Sequence, residues 1–287
     1  MRSWAKVSAC TARLRADMLS APPMKSSRQA LPIEIEGIGL ECLASRALWW
    51  PDTRMLFVAD VHLGKAESFR ALGVPVPAGA QGPTAATLDR LDAVLAMRDA
   101  QTLVVLGDLL HAREAQSEAV MGPLAAWRAR HASLEILLLR GNHDDHAGDP
   151  PAHLGIEGVD APARLGPFCL QHEPRHDWTQ QSLRSGRFVT DSGARRAAAR
   201  GAVTEAAGMD AEVDDSGDTG IALSGHLHPV IRLAGRAGNR ARLPCFCIAE
   251  DEIVLPAFGA FTGGAPVQRR PATRCVAIAD EQLFLLS

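Results

Sequence analysis

The chain has 287 residues, 47% of them apolar, which is enough to build one large domain or two small ones around a sizeable core. Its net charge of −3 gives the protein as a whole no attraction for phosphate, so any contact with nucleic acid must come from a local basic patch. No apolar run approaches the roughly 20 residues a membrane-spanning helix needs, and the absence of tyrosine removes tyrosine nucleophiles and tyrosine stacking.

Met1 to Ala30 is rich in Ala, Ser and Arg, contains Pro22-Pro23 and lacks the continuous apolar stretch of a signal peptide. It reads as a disordered extension, or as upstream sequence if translation begins at Met24. A reducing, cytoplasmic location follows as the default, and the folded domain is expected over residues 31–287. Leu31 to Trp50 carries short alternating runs (Ile33, Ile35, Ile38, Leu40) that predict edge strands. Met55 to Ala59 is continuously apolar, as in a central strand covered on both faces, and it ends on Asp60-Val61-His62.

Thr84 to Arg98 has Leu88, Leu91 and Leu95 on one helical face, with Thr84 or Thr87 as a candidate N-cap. Leu103 to Leu106 is a second buried strand, ending on Gly107-Asp108. A helix is expected over Glu114 to Arg130 with Val120, Leu124 and Trp127 inward. Glu135 to Leu139 then ends on Arg140-Gly141-Asn142-His143-Asp144. Strand, polar tip and helix thus alternate three times, which predicts helices packed on a largely parallel sheet. Phe168 to Gln171 leads to His172-Glu173-Pro174. From Asp177 to Thr219 the chain is first Arg/Ala-rich and then acidic, and it reads as a flexible insertion in which Ala194 to Ala207 could be helical. Ile221 to Ser224 ends on Gly225-His226-Leu227-His228, and short strands and turns follow. Cys245 and Cys247 would share one strand face, as two packed thiols in preference to a zinc site.

Five apolar runs therefore end on polar groups that are costly to desolvate unless something binds them. Taken singly, Asp60 and Asp108 also fit helix N-caps, and the histidines fit ordinary turn or satisfied histidines. Five such coincidences at strand ends are better explained by one site, because strand carboxyl ends share an edge of a sheet. Asp60, His62, Asp108, Asn142, His172, His226 and His228 offer oxygen and imidazole donors without thiolate. That donor set suits manganese, iron or zinc. Seven donors exceed the needs of one ion and suit two ions sharing a bridging carboxylate.

In this order D-x-H, G-D, G-N-H-D, a lone H and G-H-x-H resemble the calcineurin-like metallophosphoesterases, with no element missing. Val58 to Lys65, Gly73 to Gly79, Leu170 to Pro174 and Leu255 to Gly264 are further similar to the bacterial ligase-associated DNA-damage-response endonucleases, the PdeM-like branch. The resemblance runs from Leu31 to the C-terminus, and the insertion at 177–219 is longer than that family usually carries. It implies an α/β fold, a two-sheet β-sandwich flanked by helices in four layers (αββα), with all five tips at one edge. It also implies two divalent ions, manganese first with iron or zinc as alternatives. Asp60, His62 and His228 would hold one ion, Asn142, His172 and His226 the other, and Asp108 would bridge them. His143 would be the free catalytic imidazole with Asp144 orienting it.

Arg140 is open to either a substrate phosphate or a carboxylate, and His111 is a candidate supporting residue behind the ligands. His146, His153 and His176 compete with His172 for the lone-histidine position. Lys65 and Arg70 fit either substrate phosphates or a solvated helix start. Arg232, Arg236, Arg240 and Arg242, in a predicted hairpin, and Arg184, Arg187, Arg195, Arg196 and Arg200 could bind backbone phosphate or be solvated surface. The implied activity is a DNA endonuclease or end-processing nuclease in repair, with DNA as substrate and an ATP-dependent DNA ligase and a helicase as associates. The alternative is a phosphatase or phosphodiesterase for small nucleotides or other phosphoesters. A non-catalytic scaffold is disfavoured because all seven donors are present.

Overall fold

In a computed structural model, residues 29–76, 82–179, 220–234, 240–269 and 272–286 are described. Sixteen strands occur among them: β1 (Ala30–Ile35), β2 (Ile38–Leu43), β3 (Leu48–Trp50), β4 (Met55–Val58), β5 (Thr102–Leu106), β6 (Glu135–Leu139), β7 (Ile156–Val159), β8 (Ala163–Leu165), β9 (Phe168–Leu170), β10 (Ile221–Ser224), β11 (Pro229–Ala234), β12 (Arg240–Ile248), β13 (Glu252–Val254), β14 (Ala265–Pro266), β15 (Arg274–Ala279) and β16 (Gln282–Leu286). The α-helices are α1 (Lys65–Ala71), α2 (Gly82–Arg98), α3 (Glu118–Arg130) and α4 (Asn142–Ala147).

The first sheet has the order β1-β2-β3-β4-β5-β6-β7, antiparallel up to β4 and parallel from β4 to β7. The second runs β14-β11-β12-β13-β10-β9-β8, with β15 on β12 and β16 on β15. Alternation along the strands assigns the layers. Met55 and Phe57 of β4 face the second sheet, where they meet Phe168, Ile221, Leu223, Phe246 and Ile253 in one buried core. Leu56 and Val58, on the other face, pack under Leu88, Leu91 and Leu95 of α2 and Val120, Leu124 and Trp127 of α3. The outer face of the second sheet carries Trp178, Ile231, Cys245, Cys247 and Cys275. The sandwich with flanking helices is the architecture the family resemblance implied, its parallel strands β4 to β7 are those the alternation of elements predicted, and Cys245 and Cys247 are packed, free thiols.

Two helix starts differ from expectation. Helix α2 begins at Gly82, and its threonines serve neighbours instead of capping it. Thr84 Oγ1 accepts from Gly64 N at 3.4 Å, and Thr87 Oγ1 accepts from Ala260 N at 3.0 Å. The segment expected to open the next helix at Glu114 is a 3-10 turn, Arg113–Gln116, with Ser117 at the N-cap position of α3. Most of the predicted insertion, residues 180–219 with its arginine run, and residues 1–28 lie outside the described residues.

What the fold does for function is to align strand ends. Val58, Val105 and Leu138 lie in parallel register, so Asp60, Asp108 and Asn142 emerge at one edge. In the second sheet Leu170 is in parallel register with Leu223, which brings His172 beside Gly225 (Gly225 N to His172 O, 3.1 Å). Leu255 to Gly259 then crosses from the second sheet to the first. Phe258 N bonds Ala59 O at 2.8 Å and Gly259 N bonds Asp60 O at 3.1 Å, so the two edges are stitched together at the site.

Candidate metal centre

The five tips converge. Asn142 Oδ1 lies 3.0 Å from His172 Nε2 and 3.0 Å from His226 Nδ1, and these two nitrogens are 3.1 Å apart. His62 Nε2 and His228 Nε2 are 3.0 Å apart, with Asp60 Oδ1 3.4 Å from His228 Nε2. Asp108 lies between the two groups. Its Oδ2 is 3.7 Å from His62 Nε2 and its Oδ1 3.4 Å from His172 Nε2. All seven predicted donors are therefore together, although they span residues 60 to 228.

The donor set can be tested against a cation. Asp60 is fully buried, and its Oδ2 has no hydrogen-bond partner among the described residues. An orphaned, fully buried carboxylate oxygen is costly alone and is satisfied by a positive ion. Asp60, His62 and His228 offer one set of mutually close ligand atoms, and Asp60, Asp108 and His172 offer another. The residues present fit divalent metal, with oxygen and imidazole donors and no thiolate.

Backbone strain is concentrated here as well. Asp60 (φ 54), His62 (φ 49), Asp108 (φ 57), His226 (φ 64) and His228 (φ 49) all adopt the left-handed region, at about 1 kcal/mol or more each. Two tips are made possible by glycine at close approach. A Cβ on Gly107 (φ +83) would lie 2.0 Å from His172 Nδ1, and one on Gly141 would lie 2.3 Å from Asp108 Oδ1. The G-D and G-N-H-D spacings are thus steric requirements of the site.

Charge and burial set the state of these groups. Burial, then the nearby Lys65 ammonium, lowers the His62 pKa to about 2, which keeps the imidazole neutral. Burial also works on His172, but the hydrogen bond and charge of Asp108 overcome it and raise its pKa to about 9. Lys65, half-buried at the start of α1, is lowered by burial and held up by Asp60 and Asp108. His111 Nδ1 lies 3.2 Å from His62 Nδ1, so with His62 Nε2 turned to the centre it touches the far side of that ring.

His143 is anchored by its backbone N–H, which donates to Asp108 Oδ1 at 2.9 Å. Its Nδ1–H donates to His111 O at 2.7 Å. Its ring stacks on His111 at 4.5 Å between centroids and meets His62 edge-on at 4.9 Å. This leaves Nε2 as its available atom.

The expectation that Asp144 orients this imidazole is not met. The Asp144 carboxylate accepts instead from four backbone N–H groups: Asp108 (2.7 Å), Leu109 (3.3 Å), Leu110 (2.9 Å) and Gly141 (3.0 Å). The reason is positional. Asp144 is the third residue of α4, where a carboxylate turns back to the helix start, and the 108–110 loop lies against that start. Burial pushes the Asp144 carboxyl up to about 6 while these N–H groups hold it down. It fixes the backbone of Asp108, and His143 is steered by the His111 carbonyl.

Arg140 takes the carboxylate reading. It forms a two-pronged pair with Asp149 (2.8 and 2.9 Å) and bonds Asp160 at 2.8 Å. Of the competing histidines, His146 bonds Asn142 O at 2.6 Å within its own helix and His176 pairs with Asp251 at 2.9 Å, while His172 is at the centre. One contributor was not anticipated. Glu252, fully buried on β13, accepts from Arg175 N (2.6 Å), His176 N (3.3 Å) and Trp178 Nε1 (2.9 Å), pinning the chain just past His172. It opens β13 directly after Glu250 and Asp251, so in the sequence it is indistinguishable from the acidic residues of a turn.

No helix among the described residues is long and apolar enough to cross a membrane. Residues 53–200 match the family model for Calcineurin-like phosphoesterase, a span that holds Asp60, His62, Asp108, Asn142 and His172. No curated protein matches the chain. Among solved structures it is similar to Pseudomonas putida nuclease MPE, at 39% identity and a TM-score of 0.65, covering 90% of this chain and 100% of that one. It also aligns with Yfce, a phosphoesterase from E. coli, at 14% identity and a TM-score of 0.32 over 79% of this chain and 88% of that one. Family match, identity and donor set agree: the chain belongs to the calcineurin-like phosphoesterases, metal-dependent hydrolases of phosphoester bonds.

Proposed function

We propose that this protein is a two-metal phosphodiesterase acting on nucleic acid, a DNA endonuclease or end-processing nuclease. The observation that carries the reading is the paired donor geometry bridged by Asp108, whose two oxygens face the two groups at 3.7 and 3.4 Å. The nuclease likeness at 39% identity supports nucleic acid as the substrate class. Asp60, His62 and His228 would hold one ion, Asn142, His172 and His226 the other. Divalent ions in such a site, manganese first, supply an acidified water and neutralise charge on phosphoryl oxygens.

The chain's own residues do the rest. Asn142 and His226 are exposed, which makes their side of the centre the one open to substrate. His143 directs Nε2 to hold a phosphoryl oxygen or to hand a proton to the leaving oxygen. Its orientation is set by the Asp108 carboxylate and the His111 carbonyl. His111 accepts the Nδ1 proton of His62 and so fixes the tautomer that turns Nε2 inward. Asp144 preserves the position of Asp108.

A role in DNA repair beside an ATP-dependent DNA ligase and a helicase rests on the resemblance of the loops around the ligands. A reducing, cytoplasmic setting is supported by five free cysteines among the described residues.

Purified protein with Mn²⁺ should hydrolyse bis-p-nitrophenyl phosphate and cleave single-stranded DNA, with p-nitrophenyl phosphate the poorer ester. Monoester hydrolysis without DNA cleavage would instead identify a small-molecule phosphatase.

A further inference from the structure

Strands β11 and β12 form an antiparallel hairpin in which Val230 pairs with Pro244, Arg232 with Arg242 and Ala234 with Arg240. Residues paired across a ladder share a face, as do residues two apart along a strand. Val230, Pro244, Arg232, Arg242 and Arg240 therefore lie on one face. The opposite face, with Ile231, Leu233 and Leu243, packs into the apolar layer around Trp178. Val230, Pro244 and Arg242 also line a cleft of about 300 Å³ whose far walls include Arg46 and His228. The cleft opens at a proposed metal ligand, and the arginine face begins where the cleft ends.

A run of charge on a hairpin is most often solvated surface. Three features set this one apart. The guanidinium groups are aligned on one face and lead to the centre. Arg232, Arg240 and Arg242 are exposed and form no ion pair among the described residues, and Arg242 bonds only the Gly264 carbonyl at 2.6 Å. Arg46 is the third feature. Its side chain reaches 211 positions along the chain to bond Ala257 O at 3.1 Å, and it too has no carboxylate partner among the described residues. Burial, then its cationic neighbour Arg90, lowers its pKa to about 10. Its backbone is held at φ +71, a conformation that costs arginine about 1 kcal/mol and that glycine adopts freely. A partly desolvated, strained guanidinium without a counter-ion is a site for an anion.

We propose that Arg46, Arg242, Arg232 and Arg240 form a track that carries the phosphate backbone of a nucleic-acid strand away from the reacting ester. Arg46 and Arg242 grip the first phosphate past His228, and Arg232 and Arg240 grip those that follow. The track rests on the phosphodiesterase reading above and adds to it a preference for polymers over single nucleotides.

Binding of a fluorescein-labelled oligodeoxythymidylate to the full chain, followed by anisotropy in EDTA over a salt series, reads the track without hydrolysis. Each phosphate contact on a single strand contributes about 0.7 to the slope of log K against log salt. Arg232→Ala/Arg240→Ala should make the slope shallower by about 1.4, and adding Arg46→Gly and Arg242→Ala together by about 2.1 in all. Arg46→Gly suits the observed φ and so keeps the turn.

An unchanged slope and affinity in the fourfold variant would overturn the track. Weaker binding at an unchanged slope would also overturn it, because that is the mark of a structural effect alone. Hydrolysis of bis-p-nitrophenyl phosphate by the unmutated protein with Mn²⁺ separates the two readings. Hydrolysis together with variant-insensitive DNA binding removes the track and leaves the phosphodiesterase. If no phosphoester is hydrolysed, both fall.

Discussion

Between the sheets, Phe57, Val104, Leu106, Phe168 and Leu223 are completely buried on regular strands, and other apolar side chains of the same volume would serve there. Two residues beyond Val58, Leu106 and Ser224 the same strands deliver Asp60, Asp108 and His226, polar groups on left-handed backbone. The core tolerates exchange of one apolar side chain for another but not lost volume, whereas the edge tolerates neither a changed donor nor an added carbon at Gly107 or Gly141. The contrast teaches how a strained, polar cluster persists: it is held by the ends of strands whose own register is set by apolar packing.

The contrast can be broken from the edge first. Asp108→Ala should lower phosphodiester hydrolysis by about a thousandfold or more, some 4 kcal/mol of transition-state stabilisation, while the urea midpoint moves comparatively little. A variant that retains rate would remove Asp108 from the centre. Broken from the core, Phe57→Ala should cost about 3–5 kcal/mol of stability in urea unfolding. Metal content per folded molecule should be unchanged, and metal lost in proportion to stability would show that the two regions are not separable.

A pH titration sharpens the comparison. In metal-free protein the folded His172 pKa is raised from 6.5 to about 9, so its stabilising contribution is complete below 6.5 and lost as pH rises through 9. The melting temperature of the metal-free form should therefore fall across that window. With metal bound the proton is displaced and the fall should disappear; parallel curves would contradict this. The smallest effect is expected at Arg140→Ala. Its partners Asp149 and Asp160 are exposed, so roughly 1 kcal/mol or less is at stake, with kcat/KM within about twofold. A tenfold loss of kcat/KM would restore a phosphate contact.

Much of the edge could be read in the sequence because apolar runs that stop on Asp, Asn or His after a glycine carry their own explanation. The order of the runs and their lengths implied parallel strands sharing an edge, and the seven donors are found there. Interactions that depend on which backbone lies opposite were not legible. Asp144 follows His143 in sequence, but its carboxylate serves the 108–110 loop, because its place in the first turn of α4 turns it away from the imidazole. Thr84 and Thr87 have capping chemistry, yet they are spent on Gly64 and Ala260 because α2 starts two residues earlier than Thr84. Arg46 and Glu252 act on segments 211 and 74 to 77 positions away, respectively, and no local pattern encodes such contacts.

The central claim is that seven donors from five strand ends hold two divalent ions through the shared carboxylate of Asp108. Manganese content after loading and exhaustive dialysis, measured by inductively coupled plasma mass spectrometry, tests it most directly. The account predicts two ions per chain in the unmutated protein and fewer than one in Asp108→Ala. Two ions retained by Asp108→Ala, or fewer than one in the unmutated protein, would contradict it.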